Sequence, residues 1–176
     1  MITEAVRMPV FGLLDNIRSV WNVGSMFRTA DAVGLEGLYL SGMTATPPRR
    51  DMEKTALGAT LTVPWDYWEN PVEAIGQLQD RGISIVALEQ TADAVSYLDF
   101  TFPFPHCFVV GHEVEGVSED VLSRVESVVQ IPMAGLKKSL NVSVSFGILA
   151  YEIRRQWFAT LLESAQTPFI NERSQS

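Results

Sequence analysis

A chain of 176 residues that is 47% hydrophobic and 10% aromatic can bury one sizeable core, which excludes disorder and implies a single domain. No apolar run is long enough to cross a bilayer, the start lacks the charged and apolar regions of an export signal, and one cysteine with two histidines is a poor stock for disulfides or zinc, so a cytoplasmic, metal-free protein is expected. A net charge of -8 excludes indiscriminate binding to phosphate backbones; a nucleic-acid partner would need a local basic patch, for which Arg49 with Arg50, Lys137 with Lys138, Arg154 with Arg155, and the single Arg7, Arg18 and Arg28 are candidates.

Residues 10–14 are a short apolar run ending at Asp15 and Asn16, the pattern of a buried strand entering a loop. Asn22 suits the N-cap of a helix in which Val23, Met26, Phe27, Ala30 and Val33 recur at helical spacing until Gly34, with Arg28 off that stripe. Residues 38–40 read as a second strand. Residues 41–59 have the Gly, Thr and Pro content of a mobile surface loop, and their diproline and diarginine make either a substrate-gripping segment or an ordinary solvated loop. Residues 62–68 place two tryptophans and a tyrosine near a proline, as an edge strand or an aromatic cluster, with core packing the expectation.

Asn70 and Pro71 open a helix to Arg81, Gly82 ends it, and residues 83–88 form a buried strand. Residues 108–110 are another strand, Ser118 caps a helix with Glu119 and Asp120 in its first turn, and residues 128–131 are the last strand. A long final helix follows, capped by Asn141 or Ser139. It has one stripe of Val142, Phe146, Leu149, Ile153 and Trp157 and a second of Val144, Ile148 and Tyr151, and two stripes require two burying partners. Strands alternating with helices predict an α/β domain whose mostly parallel sheet is covered by helices on both faces.

Ligands of such sheets bind in loops that follow strands, and three such loops stand out: DNIRSVWNVGSMFRTADAVG, GHEVEGVSED and PMAGLKKSLNVS. Asn22 and Arg28 suit a phosphate or ribose, Gly111 and Gly116 around Glu113 suggest tight turns beside a ligand, and Lys137 and Lys138 are either solvated or phosphate contacts. The dinucleotide, P-loop and nucleophile-elbow fingerprints are absent. Asn22, Ser139 and Asn141 read in isolation equally as helix caps.

In this order the three stretches resemble the SpoU (TrmH-type) RNA 2′-O-ribose methyltransferases of the SPOUT superfamily. The resemblance rests on NVGSMFRTADAVG with Asn22 and Arg28, on GHEVEG, and on IPMAG followed by SLNVS, and it spans residues 14–156. It implies a C-terminal deep trefoil knot, a homodimer built through the knotted region, and S-adenosylmethionine bound by Leu88, Gly111, Ile131, Leu140 and Ser139. It also implies Asn22, Arg28, Glu113, Ser139 and Asn141 as catalytic positions, with Arg28 acting mainly as a phosphate clamp because a guanidinium is a poor base. His112 departs from the family pattern, which more often has a small polar residue there, and reads as a loop residue; His106 and Cys107 receive no role. The chain is expected to be one domain over residues 1–176, with no separate N-terminal RNA-binding domain and a flexible tail over 168–176. Its expected substrate is a folded RNA, transfer RNA ahead of ribosomal RNA. The alternative is a catalytically silent RNA-binding or assembly dimer on the same fold.

Overall fold

The computed structural model describes residues 7–166, so the expected tail lies outside the described residues. The elements run β1 (Met8–Asp15), α1 (Val20–Val33), β2 (Leu35–Ser41), α2 (Arg50–Ala56), a 3-10 turn (Ala59–Leu61), β3 (Trp65–Trp68), α3 (Pro71–Asp80), β4 (Ser84–Leu88), β5 (Val95–Ser96), β6 (His106–Val110), α4 (Glu119–Leu122), β7 (Ser127–Gln130) and α5 (Val142–Gln166). The strands form one sheet in the order β3-β2-β1-β6-β4-β7-β5, and every ladder in it is parallel. β6 is buried at every residue because it lies between β1 and β4, with His106 level with both Val10 and Ser84.

Period-two alternation divides the side chains between two cores, as a sheet covered on both faces requires. Leu14, Leu38, Leu40, Phe108 and Val110 face α1, α2 and α5. Leu13, Ile85, Cys107 and Val109 face α3 and α4. Gly12 permits α5 to come close, since a Cβ there would lie 3.1 Å from Phe146 and 2.9 Å from Leu38. Among the described residues no helix is long and apolar enough to cross a membrane.

Several local expectations need correction. Ser19, not Asn22, caps α1: its side chain accepts from the Asn22 amide, and Asn22 stands inside the first turn with its side chain released for other contacts. Residues 41–59 are not a mobile loop throughout, because α2 buries Met52 and Ala56. β3 is an edge strand and not a core cluster; Trp65 and Tyr67 remain 37% and 43% exposed, while only Trp68 packs on the second core. Ser118 turns its hydroxyl toward Asp15 in place of capping α4. β5, two residues long, has no signature in the sequence. On α5, Phe146, Leu149 and Ile153 are buried, but Val144 and Tyr151 of the second stripe are 49% and 55% exposed, so within one chain the helix finds one partner and not two.

Candidate active site

β4, β6 and β7 end side by side at the carboxyl edge of the sheet, and the loops leaving them enclose a cleft of about 310 Å³. Leu88, Gly111, Glu113, Ile131, Lys138, Ser139, Leu140 and Asn141 all line it. Segments spread over more than fifty residues thus supply one wall each, as expected for a parallel sheet whose strands point the same way.

The middle loop is closed by its own backbone. His112 and Gly116 exchange both amide-to-carbonyl bonds, at 3.0 and 2.8 Å. A Cβ on Gly111 would run into the Gly116 and Val117 backbone, so glycine is required there by close approach. The His112 Nδ1 accepts the amides of Val114 and Glu115, each at 3.2 Å, which places the proton of the neutral ring on Nε2 and makes this histidine a loop-ordering group.

Glu113 ties that loop to α1. Its carboxylate accepts the amides of Arg18 and Ser19, both at 2.9 Å, and the Asn22 side-chain amide at 3.0 Å. Partial burial pushes its pKa up, but these donors outweigh burial and hold the carboxyl below its ordinary value. A fixed negative charge there also faces the positive end of the α1 dipole. The Asn22 Oδ1 in turn accepts from Asn141 Nδ2 at 3.2 Å. Asn141 caps α5, its Oδ1 accepting the amides of Ser143 and Val144 at 2.9 and 3.3 Å and the Ser143 hydroxyl at 2.6 Å. Glu113, Asn22 and Asn141 therefore form one chain of hydrogen bonds across three distant segments, and the capping and site readings of Asn141 hold together.

The third loop offers its backbone. The amides and carbonyls of residues 131–140 pair with no other group among the described residues, and most of the segment is exposed. Such a stretch has its hydrogen-bonding capacity open to a ligand. The Ser139 hydroxyl and the Lys137 and Lys138 ammonium groups are likewise without partners among the described residues.

Three predicted positions do not line the cleft: Asn22, which reaches its wall through Glu113 and Asn141, and Lys137 and Arg28. Lys137 does not line it, although Lys138 does. Arg28 is exposed on α1, six residues beyond Asn22, which is roughly 9 Å along the helix axis and about 120° around it; its guanidinium has no partner among the described residues. Three other candidate cations are committed to the fold. Arg7 donates to the carbonyls of Leu35 and Thr62, Arg154 to that of Val33, and Arg155 pairs with Glu152 at 2.7 Å.

Two carboxylates missed in the sequence hold the cleft together. Glu89 accepts from the amides of Gln90 and Val117 at 2.8 and 2.9 Å, joining the first loop to the second. Asp15, 1% exposed, accepts from the Asn16 side chain and from both the amide and the hydroxyl of Ser118. The one available signal was a carboxylate at the end of an apolar strand, where an ionised group survives only with donors around it.

Fold and cleft together define an α/β domain with a ligand-sized cleft at the carboxyl edge of a parallel sheet. Residues 9–151 match the model of the SpoU rRNA methylase family. The tRNA (guanosine(18)-2′-O)-methyltransferase of Aquifex aeolicus is 33% identical over 155 residues, covering 88% of this chain and 73% of that one. The 23S rRNA (guanosine-2′-O-)-methyltransferase RlmB of Neisseria meningitidis is 31% identical over 148 residues, covering 84% of this chain and 59% of the relative. Among solved structures, the SpoU methyltransferase AviRb of Streptomyces viridochromogenes in complex with AdoMet superposes with a TM-score of 0.80 at 29% identity, over 88% of this chain and 63% of that one. The chain belongs to the SpoU rRNA methylase family. It spans about three fifths of the length of the Neisseria and Streptomyces relatives.

Proposed function

We propose that this chain is an RNA ribose 2′-O-methyltransferase that uses S-adenosylmethionine and acts on a structured RNA, transfer RNA ahead of ribosomal RNA. The observation that carries the reading is the junction of Glu113, Asn22 and Asn141 beside a ligand-sized cleft whose third wall has unpartnered backbone. Relatives named for 2′-O-methylation of tRNA and of 23S rRNA, and an AdoMet-bound structural neighbour, support it.

The cleft suits the cofactor chemically. Leu88, Ile131 and Leu140 offer apolar surface for a flat base, the free amides and carbonyls of 131–140 can read its edge, and the Glu89 and Glu115 carboxylates give the site negative charge suited to a sulfonium. Leu88, Gly111, Ile131, Ser139 and Leu140 would hold it. When bound, S-adenosylmethionine supplies an electrophilic methyl group.

The rest falls to the chain. Ser139 and Asn141, at the cleft and at the start of α5, orient the acceptor ribose; holding two reactants in line converts a bimolecular encounter into an intramolecular one. Asn22 and Glu113 keep Asn141 and the α1 terminus in place. Arg28 grips an RNA phosphate, and Lys137 and Lys138 add phosphate contacts at the cleft rim. Proton loss from the hydroxyl is assisted by phosphate or water.

The C-terminal trefoil knot belongs to the same reading. Its support is that β6 inserts between β1 and β4 after the chain has already reached the far edge at β5, and that α5 then packs on the segment between them. There Gln156 bonds both Phe100 and Phe102, and the Trp157 and Phe104 rings lie 5.0 Å apart. A homodimer through this region would cover the exposed stripe of α5.

Transfer of labelled methyl from S-adenosylmethionine to total RNA of a deletion strain, followed by mapping of the modified ribose, tests the proposal. Ser139→Ala and Asn141→Ala are expected to lower single-turnover transfer by about 10- to 100-fold. Wild-type protein that binds S-adenosylmethionine but labels no RNA would overturn the reading.

A further inference from the structure

A second cavity, of about 410 Å³, opens beyond the end of β2 and is lined by Gly42, Thr44, Thr46, Arg49, Trp65 and Tyr67. Because the sheet is parallel, it lies at the same carboxyl edge as the cofactor cleft. β3 is three strands from β6, a separation of roughly 14 Å within the sheet at about 4.8 Å per strand, so the cavity is set to the side of the cleft.

The walls of the cavity are chemically selective. Trp65 and Tyr67, two residues apart on an edge strand, present their rings on the same sheet face and are level with Leu38 and Leu40 of β2. Both remain substantially exposed, at 37% and 43%. The Tyr67 hydroxyl donates to the Gly42 carbonyl at 2.9 Å, which pins that ring to the rim. Thr44 is committed as the floor, its Oγ1 accepting from the Ile17 amide and donating to the Leu14 carbonyl. Thr46 and the adjoining Arg50 have no partner among the described residues, and Arg49 keeps its guanidinium at the cavity while sharing Asp51. On a chain of net charge -8, Arg49 at the cavity, shared with Asp51, and Arg50 next to it in the chain bring positive charge close to two open aromatic rings. An apolar peptide would need no arginines and an ion would need no rings; an RNA base with its phosphate uses both.

We infer that this cavity is a stacking subsite for an unpaired base of the substrate RNA, with Trp65 and Tyr67 as the platform and Arg49 and Arg50 holding the adjoining phosphate. This rests on the proposed RNA activity and adds where the RNA, away from the methylated ribose, is gripped.

The test measures filter binding of unfractionated tRNA and rRNA from the deletion strain, calorimetric binding of S-adenosylmethionine, and methyl transfer. Trp65→Ala and Tyr67→Ala are each expected to weaken RNA binding about tenfold. Trp65→Phe, which keeps a ring, retains most of the affinity, and cofactor affinity stays at the wild-type value. RNA affinity within twofold of wild type in Trp65→Ala overturns the subsite, as does an equal loss in Trp65→Phe. Photocrosslinking of wild-type protein to a 4-thiouridine oligoribonucleotide decides the matter should a variant fail to fold. Label on the peptide carrying Trp65 and Tyr67 supports the subsite, and label confined to other peptides overturns it. A concentration-dependent association that Trp65→Ala abolishes, with RNA binding unchanged, would assign the face to a protein partner and overturn the subsite. Wild-type protein that binds RNA through Trp65 yet transfers no methyl group would sink the methyltransferase reading and leave the subsite standing.

Discussion

His106 begins β6 with none of its surface exposed, between the rings of Phe102 and Phe104. Its Nδ1 donates to the Pro103 carbonyl at 2.6 Å, while Nε2 has no partner. Burial lowers its pKa from 6.5 to about 4, against the upward pull of the carbonyl bond. The unfolded chain therefore takes up this proton before the folded one. Stability from the neutral ring is complete above pH 6.5 and is lost as pH falls from there toward 4. The slope approaches 1.4 kcal/mol per pH unit, so roughly 2 kcal/mol is expected to disappear between pH 6.5 and 5. Urea titrations across that range should find the loss in wild type and a flatter profile in His106→Phe, with His112 common to both proteins. Equal slopes would show that the imidazole is not the group responsible. Carboxylates held low, Glu113 and Glu152 among them, stabilise the fold throughout that range and lose their contribution only at more acid pH, as their own protons return. The neighbouring Cys107 is inert by the same physics: burial pushes its thiol pKa up and leaves no thiolate.

At the scale of elements, the site depends on where α1 lies, and α1 lies where Gly24 lets α2 approach. A Cβ on Gly24 would come within 2.5 Å of the Met52 carbonyl oxygen and also strike the Thr55 hydroxyl. A backbone carbonyl cannot rotate aside as a side chain can. Gly24→Ala gains about 1 kcal/mol of helix propensity but incurs an overpacking cost of roughly 1–3 kcal/mol. A net loss is expected, visible as a fall in Tm of about 2–4 °C per kcal/mol, together with weaker cofactor binding because Asn22 moves with its helix. An unchanged or higher Tm would refute the close crossing. Much of this architecture was readable beforehand: β4 stood out as an apolar run, Asn70 and Pro71 marked the start of α3, and the carboxyl-edge rule pointed to the loops after β6 and β7, two of the three that enclose the cleft. Nearby competition hid the rest. Asn22 resembles a cap because asparagine usually is one, and only the fold reveals that Ser19 takes that task while Glu113, 91 residues away, takes the asparagine amide. The glycines and prolines around α2 masked its single buried face. Trp65 and Tyr67 were assigned to the core by their hydrophobicity, although hydrophobic composition says nothing about which strand ends at the edge of a sheet.

For the molecule as a whole, the position of Arg28 decides most: it is exposed on α1 and outside the cleft of its own chain. The same molecule exposes Trp21, Val144, Tyr151, Phe158 and Leu162, at 45% to 63%. In the proposed homodimer such an apolar stripe would be covered, and a two-fold interface would bring α1 and α5 of one subunit against those of another. In the proposed homodimer, Arg28 would then reach the cleft of the partner subunit and not that of its own chain. Co-expression of Arg28→Ala with Leu140→Trp, which fills the cleft from an exposed position, separates the possibilities. Each variant alone is expected to be nearly inactive. If Arg28 acts across the interface, a mixed dimer combines the open cleft of one chain with the arginine of the other, and about a quarter of wild-type transfer returns, because half of randomly paired dimers are mixed and each has one complete site. If Arg28 acts within its own chain, no mixed dimer holds a complete site and transfer stays at the level of the single variants.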